Sequence, residues 1–372
     1  MSGDVILVIV IATALAFDFT NGFHDTANVV ATAISTRAIA PKPAVAMAAL
    51  LNFVGAFLSL KVAATVGKGF VDTNAITTTV VFAGLVGAIA WNVITWYFGL
   101  PSSSSHALIG GLVGAVTVAV GVSAVNGDGL LSNLIVPAII APPIAFLVAG
   151  MSILVIYRIL GNLNPGPVGH GFRLGQLASS GLLSLSHGTN DAQKTMGVIA
   201  LALVAHGDIS ANHFYVPDWV VIASASAIAL GTFVGGWRII KTLGTRIIEM
   251  DVAQGFAAQA AGAAVILAAS SAGYPLSTTH VISGSIMGSG AAKRLSAVRW
   301  GVAGNIVGAW TLTLPAAAIM GGAVYAISTL FGNGVMGPLI ISLILLLALA
   351  VLFIRRVQQA TPAPGVARRP CS

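Results

Sequence analysis

Eleven stretches of this chain are apolar over about the length needed to cross a lipid bilayer: 4–36, 43–66, 76–98, 101–122, 130–158, 174–205, 218–240, 252–272, 275–292, 300–328 and 335–354. A hydrocarbon core about 30 Å thick needs about 20 apolar residues per spanning helix. The pattern predicts an all-α polytopic membrane protein with about 10–12 membrane segments. Charge supports this. Lys and Arg number 17 and Asp and Glu 10, together 27 of 372 residues or 7%, where a soluble domain carries roughly 25%. With 57% hydrophobic residues and a mean hydropathy of +0.96, so few charges could not cover a water-exposed surface. Soluble enzymes, nucleic-acid-binding proteins and disordered chains are excluded. The single Cys371 leaves no disulfide framework and no cysteine metal site. The first apolar run leads into a polar segment, unlike a cleaved signal peptide.

Two of the runs are too long for a simple span. At 1.5 Å per residue, 4–36 and 174–205 each reach nearly ~50 Å, so each is expected to be broken, steeply tilted or partly outside the core. Segments 101–122 and 275–292 begin with Pro and hydroxyl residues and read as half-helices or re-entrant hairpins. Basic residues gather at the ends of runs: Arg37 and Lys42; Arg158 and Arg173; Arg238, Lys241 and Arg246; Lys293, Arg294 and Arg299; and Arg355, Arg356, Arg368 and Arg369. Such loops face the cytoplasm. The 206–218 loop carries Asp208 and Asp218 without Lys or Arg, so it faces out. Counting crossings places the N-terminus outside and the C-terminus inside a cytoplasmic (inner) membrane.

The chain repeats itself. Asn21-Gly22-Phe23-His24-Asp25-Thr26-Ala27-Asn28 aligns with His187-Gly188-Thr189-Asn190-Asp191-Ala192-Gln193-Lys194 at an offset of 166, and Pro101-Ser102-Ser103-Ser104-Ser105-His106 with Pro275-Leu276-Ser277-Thr278-Thr279-His280 at 174. Two motifs in one order at nearly one offset mark a duplication. Five crossings per half make the second half enter from the opposite side, giving two inverted-topology repeats with broken helices. The expected division is a first repeat over 1–160, a central cytoplasmic loop over 161–173, a second repeat over 174–330, a final transmembrane helix over 331–354 and a basic disordered tail over 355–372.

Inside the first run Asp18, Asn21, Asp25, Asn28 and Thr32 are spaced 3, 4, 3 and 4 apart, which puts them on one helix face. Ser184, His187, Asp191 and Lys194 have the same phase, and Asp191 can pair with Lys194. Polar groups of this kind can serve as packing glue between helices. A charge in a membrane helix costs about 2.5 kcal/mol or more, however, and two copies of one costly arrangement point to function. Asp18, whose counterpart is Ser184, is the weakest member.

Pro101 and Pro275 are each expected at the first position of a helix, with Ser102–Ser105 and Ser277–Thr279 lining its first turn. Free N–H groups, a positive dipole end and hydroxyls together make an oxyanion cradle. Ser103, Ser104, Ser105, Ser277, Thr278 and Thr279 are therefore candidates for holding phosphate or sulfate, against the plainer reading of ordinary capping. His106 and His280 would donate to the substrate, carry a proton or bond the opposing repeat. Gly110, Gly111 and Gly284 would allow close packing behind the cradle.

These residues resemble the PiT inorganic phosphate transporter family. The matching segments are NGFHDTANVVAT at 21–32, PSSSSHALIGG at 101–111, SHGTNDAQKTMG at 186–197 and PLSTTHVISGS at 275–285. The resemblance covers essentially the whole chain. It implies phosphate held between hairpin tips and broken helices, imported by cation symport around a midplane site. It places Gly22, Gly188 and Asn190 of the repeated Gly-x-Asn-Asp element beside the phosphate. His24 stands where the sodium-coupled branch has Asn, and Lys194 where that branch has small or amide residues. Both features resemble the bacterial low-affinity branch, which implies proton coupling and a neutral metal–phosphate substrate.

The coupling groups are then Asp25, Asp191, Lys194, His24, Asn28, His106 and His280, with Asp25 and Asp191 touching any divalent metal such as Mg²⁺ that travels with phosphate. No resident cofactor is expected. Two bare carboxylates would repel an oxyanion in a low dielectric, so cations must neutralise them first. A sodium-coupled symporter and a sulfate permease are close alternatives. An intramembrane hydrolase and a channel are remote, with no HExxH, nucleophile elbow or carbonyl filter motif. The expected partners are inorganic phosphate and the bilayer, with no nucleic acid and a homodimer possible.

Overall fold

A computed structural model describes residues 2–73, 76–161, 165–332 and 334–360. Among them every regular element is helical, and the one β contact is an isolated bridge between Val71 and Val125. The first half comprises α1 (Ser2–Ser35), α2 (Pro41–Gly55), α3 (Lys61–Lys68), α4 (Thr78–Phe98) and α5 (Ser104–Ala119). It ends with α6 (Gly127–Leu130), which passes through a π-helical turn at Leu131–Ile135 into α7 (Val136–Leu160). The second half comprises α8 (Pro165–His206), α9 (Asp218–Val234), α10 (Trp237–Lys241), α11 (Val252–Ser271), α12 (Thr278–Lys293) and α13 (Trp300–Thr329). α14 (Met336–Ala360) follows.

Several elements differ from the sequence expectation. α1 and α8 are continuous helices, because no proline interrupts their polar stripes and Gly22, Gly188 and Gly197 are braced by neighbouring backbones. At 1.5 Å per residue α8 is about 63 Å long, and it takes up 165–173, which reads as loop from sequence. The breaks lie instead inside two runs that read as plain spans. Residues 43–66 divide between α2 and α3, and α9 bends by 59° into α10 at Gly235 and Gly236. Ser59 and Gly235 are equivalent at an offset of 176, so both halves break at one place. α14 continues through 355–360, so that part of the expected tail is helical; 361–372 lie outside the described residues. By length and hydropathy alone five described helices can cross a membrane, or six with the bent pair, against the ten to twelve expected. The shortfall lies in α8, whose stripe lowers its hydropathy, in the broken α2–α3 pair, in the hairpin helices α5 and α12 of 16 residues each, and in α14, whose described apolar part covers only Met336–Ala348.

The two halves are inverted, as their interlocking register shows. Equivalent helices α1 and α8 run antiparallel: Gly3 meets His206, Asp25 meets His187, Val29 meets Ser180 and Thr36 meets Gln176. Each then runs parallel to a helix of the other half. A methyl group at Gly22 would fall 2.3 Å from the Ile228 carbonyl oxygen on α9, and one at Gly188 2.1 Å from that of Asn52 on α2. The last helix of each half is exchanged: Gly110 of α5 lies under the Leu314 carbonyl of α13, and Gly284 of α12 under the Pro142 carbonyl of α7. Small residues let the backbones approach this closely, which is how membrane helices pack without a hydrophobic drive.

Candidate functional site

The stripe on α1 and its antiparallel copy on α8 meet at the middle of both helices. Asp18, Asn21, His24, Asp25, Asn28, Thr32, Ser184, His187, Asp191 and Lys194 are all buried. The hairpin tips close over them from two sides, because an extended segment after each proline delivers a serine to the cap of α5 or α12. Ser103 accepts from the His106 backbone N–H at 3.2 Å and Ser277 from that of His280 at 3.3 Å. Pro101 and Pro275 therefore stand two residues before the cap, not at the first helical position, since the serine hydroxyl holds the cap itself. Capping uses the Ser103 and Ser277 oxygens as acceptors; the Ser103 hydroxyl also meets His106 Nδ1 at 2.5 Å, whereas the Ser277 proton is left available to a ligand.

Ser104, Thr278 and Thr279 face the carboxylates, while Ser105 donates to the Leu276 carbonyl at 3.1 Å. Ser104 donates to Asp25 Oδ2 at 2.7 Å and Thr279 to Asp25 Oδ1 at 3.3 Å, so Asp25 ties both hairpins together. Thr278 donates to Asp191 Oδ2 at 3.2 Å. Asn28 and Lys194, equivalent by the repeat, each cross to the opposite hairpin. Asn28 Nδ2 donates to Thr279 Oγ1 at 2.9 Å and to Thr278 Oγ1 at 3.3 Å. Lys194 Nζ donates to Ser105 Oγ, to Asp191 Oδ1 and, at 2.8 Å, to the Leu276 carbonyl. Its three protons are thereby placed.

Imidazoles complete the cluster. His24 Nδ1 lies 2.7 Å from Asp25 Oδ1, and its Nε2 lies 3.3 Å from Thr95 Oγ1 and 3.4 Å from Ser102 Oγ. His187 Nε2 lies 3.0 Å from Asp191 Oδ2 and 4.0 Å from Asp25 Oδ2, and its Nδ1 lies 3.2 Å from Asn52 Oδ1. One ligand atom each from Asp25, His187 and Asp191 lies within 4.8 Å of the others, a spacing that suits a divalent cation. His187 belongs to the stripe, but the sequence reading left it out of the site. Its position four residues before Asp191 was the available signal. Asn52 is a lone amide in an apolar run, and nothing in its neighbourhood marks it.

Other expected members lie elsewhere. Gly22 and Gly188 press against α9 and α2 and have no space for an anion at their Cα, so they are packing residues. Asn190 Nδ2 donates to Ser270 Oγ at 2.7 Å and to the Tyr274 carbonyl at 3.2 Å, which holds the second hairpin in place. With both its protons engaged it has none to give a phosphate. His106 and His280 stack on each other at 4.9 Å, and His280 on Trp310 at 4.2 Å, behind the hairpins. There they line an apolar cavity of about 790 Å³ with Pro142, Phe146 and Pro315, away from both carboxylates.

The arrangement is two negative carboxylates, one ammonium and two imidazoles under two helix N-termini that carry hydroxyls. Free N–H groups in such first turns suit an oxyanion, and the carboxylate pair suits a cation. Every member is buried, so the site is shut to both sides in this conformation. The profile of the phosphate transporter family matches residues 21–321. A probable low-affinity inorganic phosphate transporter of Mycobacterium bovis is 52% identical over 88% of this chain and 79% of its own length. One of the same description from Rhizobium meliloti is 50% identical over 86% and 96%. A solved structure of a sodium-dependent phosphate transporter superposes with a TM-score of 0.75 at 27% identity, covering 87% of this chain and 99% of its own.

Proposed function

The chain belongs to the phosphate transporter family and is a transporter, not an enzyme, and from that premise we propose that it imports inorganic phosphate at low affinity across the cytoplasmic membrane, coupled to protons. The observation that carries the coupling is the gathering of Asp25, His187, Asp191 and Lys194 in one buried cluster, taken with its formal charge. Asp25 and Asp191 contribute −2 and Lys194 +1, leaving −1 with neutral imidazoles. An incoming phosphate meets a repulsive site until a further positive charge arrives. A proton at Asp25, His24 or His187, or a divalent cation entering with phosphate between Asp25, His187 and Asp191, supplies that charge. Phosphate then displaces the Ser104–Asp25, Thr279–Asp25, Thr278–Asp191 and Ser105–Leu276 bonds and takes those hydroxyls, with the hairpin N–H groups, as its own donors.

Loss of the Asp25 bonds also unties the two hairpins, so loading and opening are one event. Alternation then follows from movement of one inverted half against the other, with the N-terminus outside and the C-terminus inside. Lys194 occupies one side of Asp191 as a fixed cation, which favours protons over sodium as the mobile one. The likeness to a sodium-dependent phosphate transporter favours the sodium reading instead. Uptake of labelled phosphate into proteoliposomes with Mg²⁺ present separates them. The proton reading expects an inward proton gradient to accelerate uptake and a sodium gradient to leave it unchanged. Acceleration by sodium alone would overturn it. Excess unlabelled sulfate is expected not to compete.

A further inference from the structure

One buried charge takes no part in the cluster above. Asp18 lies on the same face of α1 as Asp25, two turns or about 10 Å nearer the helix start. It is fully buried, and neither carboxylate oxygen makes a well-formed hydrogen bond among the described residues, Thr195 of α8 being the one group set to offer one. Asn21 and Asn92 are fully buried as well, and all four of their amide atoms are unpartnered. α4 packs on α1 as α11 packs on α8, where Gln176 meets Gly255 and Asn190 meets Ser270 so that the helices run parallel, and His24 lies against Thr95. Asn21 and Asn92, each three residues earlier, therefore come level one turn from Asp18. On the other side the antiparallel register brings Thr195 of α8 beside Asp18.

No cation compensates this carboxylate. The nearest charges are Lys194 and Asp191 on α8, and Lys194 already spends its protons on Asp191, Ser105 and the Leu276 carbonyl. On α1 itself the next ionisable groups are His24 and Asp25. α4 carries Tyr97 alone, close to its end, and α9 carries Asp218 alone, at its first residue. An ionised carboxylate without a cation in such surroundings is costly, whereas a single proton removes the charge. We propose that Asp18 is a second proton-binding site, separate from the Asp25–Asp191 cluster and loaded in the same transport cycle. The proposal rests on the proton-coupled reading above. It is confined to one half of the molecule, because the equivalent Ser184 gives its hydroxyl to the Ser180 carbonyl at 2.8 Å.

The test records phosphate uptake and proton influx together, in proteoliposomes of the full-length protein with a trapped pH dye. The ratio of protons to phosphate is expected to fall by one in Asp18→Asn and to return in Asp18→Glu, while Ser184→Ala leaves it unchanged. An unaltered ratio in Asp18→Asn overturns the assignment while leaving proton coupling intact. A wild type that moves phosphate without protons overturns the proton-coupled reading itself. Sodium-stimulated uptake that Asp18→Asn abolishes replaces the proton at this site with sodium. Should Asp18→Asn not fold, infrared spectra of the wild type at neutral pH provide the second readout. A protonated-carboxyl C=O band that shifts in Thr195→Val supports the site, and the absence of a shifting band refutes it.

Discussion

The two halves of this protein are built alike and charged differently. At the position where α1 carries Asn28, α8 carries Lys194, and both side chains reach the opposite hairpin. The backbone duplication keeps the geometry, and the residue exchange changes the electrostatics. Asp191 has a fixed ammonium in contact. Asp25 has His24 at 2.7 Å and two hydroxyls. The second carboxylate thus has a lysine in contact, and the first has none. On the proposed reading, that local asymmetry within a symmetric frame is what couples opening to a cation.

The comparison breaks first at Asp25. Asp25→Asn is expected to lower phosphate uptake about 100-fold or more, the equivalent of about 2.7 kcal/mol, with the protein still folded by size-exclusion profile. Wild-type uptake would remove Asp25 from the coupling. A smaller effect falls on stability. Lys194→Met takes the ammonium from buried Asp191 and leaves it only His187 and Thr278, a loss of up to about 3–5 kcal/mol expected as a lowered thermal midpoint in detergent. Asn28→Leu, at the equivalent place, is expected to cost about 1 kcal/mol. Adding Asp191→Asn to Lys194→Met should recover most of the loss, since removing both partners of a buried pair is often nearly neutral. Equal costs in the two halves would erase the asymmetry. The smallest change is the loss of a cap: Ser103→Ala and Ser277→Ala should each cost about 1 kcal/mol, alike in both halves, by the same thermal measurement.

Much of this arrangement is legible in the chain because it is written twice. The spacing of Asp25 and Asn28, repeated at Asp191 and Lys194, marks the facing stripes, and the two Pro-hydroxyl-His runs mark the hairpins. Other features leave no local trace. The breaks at 56–60 and at Gly235–Gly236 fall within apolar runs whose hydropathy continues across them. Gly22 and Gly188 are part of the signature, yet the backbone oxygens of Ile228 and Asn52 that demand them are distant in sequence. His106 and His280 repeat as regularly as the carboxylates, so repetition alone could not tell a site residue from a stacking pair. Asp18 falls outside the repeat, and only its burial without a cation brings it forward.

The exchange of α7 and α13 bears on biosynthesis. α5 carries the serines of the first hairpin, and its Gly110 is covered by Leu314 of α13. The ribosome makes that cover last, roughly 10–40 s later at about 5–20 residues per second. Until then the first hairpin waits in the membrane with the Gly110 face of α5 uncovered. The nascent first half is accordingly a natural client for insertases and membrane proteases, and a stalled or truncated chain ending before α13 should be cleared rather than accumulate.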